Sequence, residues 1–147
     1  MFDVLIIFLI FYLLQLMLPM LLSIKSVPFS DFAGARDKSI DLSLYSQRAD
    51  RSVRNFRESL PVVLMLIALS IALDIDNSQT VMYFIYTRVV YTLVYILAIP
   101  HLRTLIWFLS LWFIAQMVIN LIWDNRWQSG IMYKGDRHLF IYLRSIS

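Results

Sequence analysis

From Val4 to Ile24 the chain is apolar at nearly every position, interrupted only by Gln15, Pro19 and Ser23. A helix needs about 20 such residues to cross the hydrocarbon core of a bilayer. The composition points the same way: of 147 residues, 60% are apolar and 16% charged, too little polar surface for a soluble domain of this size. Lipid is the expected solvent, and in lipid every backbone polar group must find its partner inside the protein, which favours helices. The run has no basic lead and no small-residue cleavage site, so it reads as a retained helix and not as a signal peptide.

Three more segments fit the same scheme. Leu60 to Leu73 is a shorter apolar stretch that extends backwards through Arg48 to Ser59 without Gly or Pro, as a helix with a polar first half would. Val81 to Ile99 contains Arg88, and Leu105 to Trp123 contains Ser110, Gln116 and Asn120; polar groups of this kind inside a span imply packing against protein. Lys25 to Tyr45, with Pro28 and Gly34, is the one long loop, whereas the connections at Asp74 to Thr80 and Pro100-His101 are short and imply antiparallel neighbours. The expected fold is all-α: a single-domain, integral membrane four-helix bundle over residues 1–147. Its helices are expected near 3–25, 47–74, 80–99 and 103–124, and the 125–147 tail is expected to lie along the membrane surface.

Thirteen Lys and Arg against ten Asp and Glu give a net charge of +3, spread over short stretches with no basic or acidic tail, so nucleic acid is not an expected partner. Lys25, Arg36, Lys38, Arg48, Arg51, Arg54, Arg57 and Arg103 gather on one side of the scheme, while Asp74 and Asp76 fall on the other. The positive-inside rule then puts the arginine-rich side in the cytoplasm and both termini outside, although Arg126, Lys134, Arg137 and Arg144 in the tail pull the other way. The chain has no cysteine, so any thiol chemistry must use a thiol carried by a ligand. His101 and His138 stand alone at helix ends and suggest no metal site.

The charges at the start of the second helix are ordered. Arg51, Arg54, Asn55 and Glu58 recur at helical spacing and share one face, with Arg48 at its edge. Arg54 and Glu58 are four apart and able to pair, and Asp50 could reach Arg57 or a headgroup. Pro61 cannot donate to the Arg57 carbonyl and should bend the helix beyond the charges. In the third helix Phe84, Arg88, Tyr91 and Tyr95 also share a face. An unpaired charge at mid-bilayer costs about 3 kcal/mol on insertion scales, so Arg88 is expected to pair with Glu58, the one acidic residue in the body of any span. Arginines clustered at a helix start commonly do no more than hold anionic headgroups. Such an anchor, however, has no need of a mixed-sign, amide-bearing stripe.

Gly34-Ala35-Arg36-Asp37, the run Arg48-Ala49-Asp50-Arg51-Ser52-Val53-Arg54-Asn55-Phe56-Arg57-Glu58-Ser59-Leu60-Pro61, Arg88 to Tyr95, and Pro100-His101-Leu102-Arg103-Thr104-Leu105-Ile106-Trp107 together resemble the MAPEG family, the membrane-associated proteins in eicosanoid and glutathione metabolism, in its short bacterial branch. The resemblance implies a homotrimer in a bacterial inner membrane, with glutathione as co-substrate held between subunits near the cytoplasmic side. It further implies that Arg51, Arg54, Asn55, Glu58, Arg88, Tyr91, Tyr95 and Thr104 hold glutathione and that Arg103 is the catalytic group stabilising its thiolate. These roles suit the chemistry: arginine forks match glutathione's two carboxylates, Glu58 suits its ammonium, and a guanidinium beside sulfur raises the thiolate fraction.

Two classes of function follow from the resemblance. One is a glutathione transferase or peroxidase acting on lipophilic electrophiles or lipids. The other is a non-catalytic regulatory membrane protein that binds a lipid or an anion. A small transporter is a weaker third reading, because only Arg88 and Glu58 suggest a charged path and no Gly-broken helix is visible.

Overall fold

The computed structural model describes residues 1–24 and 43–128, the last four as backbone only. Most of the expected loop, including Lys25, Arg36 and Lys38, and the expected surface-lying tail from residue 129 onward lie outside the described residues. Four helices account for nearly everything described: α1 (Phe2–Ser23), α2 (Leu44–Ala72), α3 (Ser78–Ile96) and α4 (Pro100–Gln128). No strand occurs among the described residues. Proline at the first position of α4 lacks only an N–H that would find no partner within the helix.

Three helices, α1, α2 and α4, are long and apolar enough to cross a membrane. At 29 residues each, α2 and α4 run to roughly 44 Å at 1.5 Å per residue, longer than the hydrocarbon core is thick. The polar first turns of α2 can therefore stand at headgroup level while its apolar half lies in lipid. α3 is shorter and more polar, and it is the inner element: nine of its 19 residues are buried, including Thr80, Thr87, Arg88 and Thr92. It packs most extensively on α4 and also touches α1 and α2. α1, by contrast, shows Ile6, Ile10, Leu13, Leu14, Met17 and Leu21 on the surface, as suits a helix surrounded mostly by acyl chains.

At the middle of the bundle three phenylalanines from three helices meet. Phe8 lies 5.9 Å from Phe56 and 6.4 Å from Phe84, with 6.3 Å between the latter two ring centroids, and Val63, Ile67, Val81, Ile85 and Met117 extend this core. Two hydrogen-bonded nodes flank it. In the first, Gln15 Nε2 and the Ser52 hydroxyl each lie 3.0 Å from Thr92 Oγ1, whose own proton goes to the Arg88 carbonyl at 3.0 Å. One threonine oxygen thereby joins α1, α2 and α3. In the second, toward the opposite end, Asn77 Nδ2 donates to Ser70 Oγ at 2.9 Å and to the Met117 carbonyl at 3.3 Å, while Asn120 Nδ2 donates to Asn77 Oδ1 at 2.8 Å. This node ties α2 and α4 to the turn that precedes α3.

Both short connections use one capping device. After α2, the Asp74 N–H reaches the Ile71 carbonyl and the Ile75 N–H reaches that of Ser70; after α3, the Ala98 N–H reaches Tyr95 and the Ile99 N–H reaches Val94. These are paired Schellman bonds, which need a left-handed residue just past the helix. Asp74 (φ 54°) and Ala98 (φ 60°) fill that position without being glycine. Aspartate tolerates the region through its short polar side chain; alanine has no such relief.

Replacing Ala98 by Gly is expected to stabilise the fold by about 1 kcal/mol through removal of the Cβ conflict, read as a higher unfolding temperature in detergent. Thr92→Val keeps the shape but strands Gln15 and Ser52, and should destabilise by about 1–2 kcal/mol in denaturant titrations. Equal stability of Thr92→Val and wild type would show that this node does not hold the three helices.

Candidate functional site

The first half of α2, the end of α3 and the start of α4 meet at one end of the bundle, and two adjoining hollows open there. The first, about 260 Å³, is lined by Asn55, Tyr91, Tyr95, Arg103, Thr104 and Trp107. The second, about 190 Å³, is lined by Arg48, Arg51, Val94, Tyr95, Arg103 and the turn from Ala98 to Pro100. Tyr95 and Arg103 form the partition between them, with the Arg103 guanidinium carbon 5.0 Å from the centre of the Tyr95 ring, a cation–π contact that holds the arginine at the junction. The α3–α4 turn brings these two residues together, since its Schellman cap reverses the chain within a few residues of both.

The walls differ in chemistry. The second hollow is cationic, with three guanidiniums and no carboxylate among its lining residues. Arg48 is fixed there by a 3.0 Å bond from its Nη1 to the Ile96 carbonyl, a favourable place for a cation at the end of α3. The first hollow is aromatic: Tyr91 and Tyr95 lie 5.7 Å apart at their ring centroids, and Trp107 forms another wall.

Arg88 stands behind this wall and lines neither hollow. Only 2% of its surface is exposed. Its Nη1 donates to Asn55 Oδ1 at 2.9 Å and its Nη2 to Ser59 Oγ at 2.8 Å, while Ser59 passes its proton to the Phe56 carbonyl at 2.9 Å. The rings of Phe56, Phe84 and Tyr91 stand 5.6, 5.2 and 5.5 Å from the guanidinium carbon. The expected Arg88–Glu58 ion pair is therefore not formed. Neutral oxygens and π faces surround the cation instead, and Glu58 is exposed. Position on the helix explains the difference, because Asn55 and Ser59 share the inward line of α2 whereas Glu58, one residue before Ser59, is turned away by about 100°. The other expected pairings also change: Arg54 Nη2 binds Asp50 Oδ2 at 2.7 Å, the one ion pair among the described residues, in place of Glu58, and Asp50 is thereby engaged without Arg57. With a side chain 73% exposed, this pair is a surface contact that adds little stability.

Of the residues expected at a site, Asn55, Tyr91, Tyr95, Arg103 and Thr104 thus line one hollow, and Arg51 joins Tyr95 and Arg103 in the other. Arg88 supports Asn55 from behind. Arg54 and Glu58 lie on the exposed side of α2, outside both hollows. Sequence inspection singled out neither Ser59, which completes the Arg88 cradle, nor the bonding of Arg48 to α3. Ser59 had one visible signal, its four-residue offset from Asn55.

Against known proteins, the MAPEG family model matches residues 3–123, most of the chain and all four helices to within a few residues of their ends. No curated protein matches, and no solved structure does.

The cradle makes a quantitative prediction. Asn55→Ala should cost about 1.5–3 kcal/mol by leaving a buried charged donor unpaired, whereas Glu58→Gln should stay within about 0.5 kcal/mol of wild type. Unfolding in denaturant measures both, and the reverse ranking would restore the carboxylate as the partner of Arg88.

Proposed function

Since the chain belongs to the MAPEG family of membrane proteins, which includes glutathione-dependent transferases and peroxidases alongside other members, we propose that it binds glutathione and joins it through its sulfur to lipophilic electrophiles. The observation that carries this reading is the position of Arg103, shared by a cationic hollow and an aromatic one. A tripeptide with two carboxylates and a thiol needs that division. Arg48 and Arg51 offer forked donors to carboxylate, and Arg103 stands where a sulfur extending from the cationic side meets an apolar co-substrate beside Tyr91 and Trp107.

Arg103 lowers the pKa of the thiol by stabilising its thiolate, and the proton leaves to solvent. The thiolate sulfur then forms a bond to an electrophilic carbon, and the leaving group departs with its electron pair. Arg103 is the catalytic residue in this scheme. Asn55, Tyr91, Tyr95 and Thr104 position the peptide.

Arg54 and Glu58 fit the scheme through assembly. Both are exposed, as is Arg51, on the side of α2 turned away from α3, so a second copy packed on that face would enclose them, and Glu58 would then receive the ammonium of the ligand. This arrangement corresponds to the proposed homotrimer, embedded in an inner membrane with its arginine-rich end toward the cytoplasm.

The purified protein is expected to conjugate glutathione to an aryl halide such as 1-chloro-2,4-dinitrobenzene, followed by absorbance. Arg103→Ala should lower kcat by about 100-fold, as for loss of one electrostatic stabiliser, while calorimetry shows glutathione binding within about tenfold. Binding without product from a panel of electrophiles would assign the protein to the non-catalytic members, and absence of binding would remove glutathione altogether.

A further inference from the structure

Arg88 and Asn55 carry a consequence for what the first hollow recognises. A guanidinium has donors and no acceptor. The 2.9 Å contact from Arg88 Nη1 therefore fixes which way the Asn55 amide faces: its oxygen must meet the arginine, because the flipped amide would set NH₂ against N–H. Ser59 cannot compete for that arrangement, since its oxygen takes Nη2 and its proton is spent on the Phe56 carbonyl. Asn55 also lines the hollow, and among the described residues its Nδ2 has no hydrogen-bond acceptor. What remains to face a ligand is a pair of N–H donors.

Much of the surrounding wall has the same polarity. Arg103 and the Trp107 indole can only donate and no carboxylate lines the hollow; the Tyr91 and Tyr95 hydroxyls can donate or accept, and the Thr104 oxygen, its proton committed to the Pro100 carbonyl at 3.2 Å, is an acceptor. We propose that Arg88 is a positioning residue that locks Asn55 as a donor, so that Asn55 selects a ligand oxygen that accepts hydrogen bonds, and takes a carboxylate ahead of a neutral carboxamide, whose oxygen is the weaker acceptor. The proposal rests on the glutathione reading for the identity of the occupant, which would present such an oxygen to Asn55 while its sulfur lies at Arg103. The burial of Arg88 gives the lock its strength, because turning the amide would strand a guanidinium that has no water to fall back on.

The experiment uses the full chain in detergent and two probes, glutathione and its bis-carboxamide, titrated into wild type, Asn55→Asp, Arg88→Lys and Arg88→Gln. Asn55→Asp keeps an oxygen for Arg88 but gives the hollow an acceptor in place of two donors. It should unfold at or above the wild-type temperature, yet lose about 30-fold or more in glutathione affinity and favour the carboxamide. Arg88→Lys still only donates and should preserve the wild-type preference for glutathione. Arg88→Gln offers an acceptor as well, frees the Asn55 amide to turn, and should narrow that preference at least tenfold; a merely structural Arg88 would weaken both probes alike. Folded Asn55→Asp that binds glutathione within threefold of wild type, or Arg88→Gln with unchanged discrimination, would overturn the proposal.

A wild type that binds neither probe would defeat the glutathione reading, and a second measurement then decides the lock by itself. The chain holds four asparagines, and in ¹⁵N-asparagine-labelled protein the Asn55 side-chain signal is identified by its loss in Asn55→Asp. Broadening of that signal by a water-soluble paramagnet is expected, and a signal protected as fully as that of buried Asn77 would overturn the proposal.

Discussion

A cation buried between two membrane helices is the constraint around which this end of the bundle is arranged. Arg88 is almost wholly enclosed, and a guanidinium in that position must be satisfied by the protein because lipid offers nothing. The solution gives each Nη a neutral oxygen, the two being one turn apart on α2, and sets three aromatic rings around the cation, while the buried Nε–H has no hydrogen-bond acceptor. Asn55 and Ser59 fix the height of α3 against α2, since a slide of one residue on either helix would break both bonds. Thr92, one turn further along α3, repeats the fastening to Ser52 and Gln15, so the register of three helices is set by groups on one side of α3.

Leaving Arg88 without a carboxylate has an electrostatic effect as well as a structural one. A buried ion pair would have cancelled its charge; neutral acceptors and rings only stabilise it. The positive potential therefore adds to that of Arg48, Arg51 and Arg103, and low-dielectric walls concentrate it at the hollows. The far end of the bundle does the opposite. Its fastening is made from amides and hydroxyls, through Asn77, Asn120, Ser70 and Thr80, and the exposed charges nearby include Asp74 and Asp76 on the turn. Neutral polar groups hold one end together, while the charged groups of the other remain available to a ligand.

The four helices were readable from the amino-acid sequence because each follows from length, apolarity and Gly or Pro punctuation, all local properties. Helical spacing likewise placed Asn55 on one face of α2 and Tyr91 and Tyr95 on one face of α3, whereas joining Arg103 and Thr104 to them was what the family resemblance implied. What misled was charge logic. Pairing Arg88 with Glu58 assumes that a cation seeks the nearest anion, but side-chain direction decides first, and Glu58 points off the line that Asn55 and Ser59 occupy. Arg54 took Asp50 for the same reason of reach: both separations are four residues, and nothing in spacing alone chooses between the carboxylate before it and the one after. Single polar residues such as Gln15 were legible only as interruptions in an apolar run, because their partners lie on other helices, far away in sequence.

The exposed side of α2 follows from the same geometry. A helix that commits Asn55 and Ser59 to α3 must turn the residues between them elsewhere: Phe56 goes into the core, while Arg57 and Glu58 are exposed, as is Arg54 just before Asn55. At headgroup level such a face is tolerable, since phosphates and water can meet it; deeper in the bilayer it is not. The apolar half of α2 begins only at Leu60, two residues after Glu58, so the charged face runs up to the edge of the hydrocarbon. A carboxylate at that depth beside an open cationic hollow is better placed against a second protein surface than against acyl chains. The physical demand for such a cover is independent of what the hollow binds, and it makes the proposed assembly and the proposed ligand two separable consequences of one helix face.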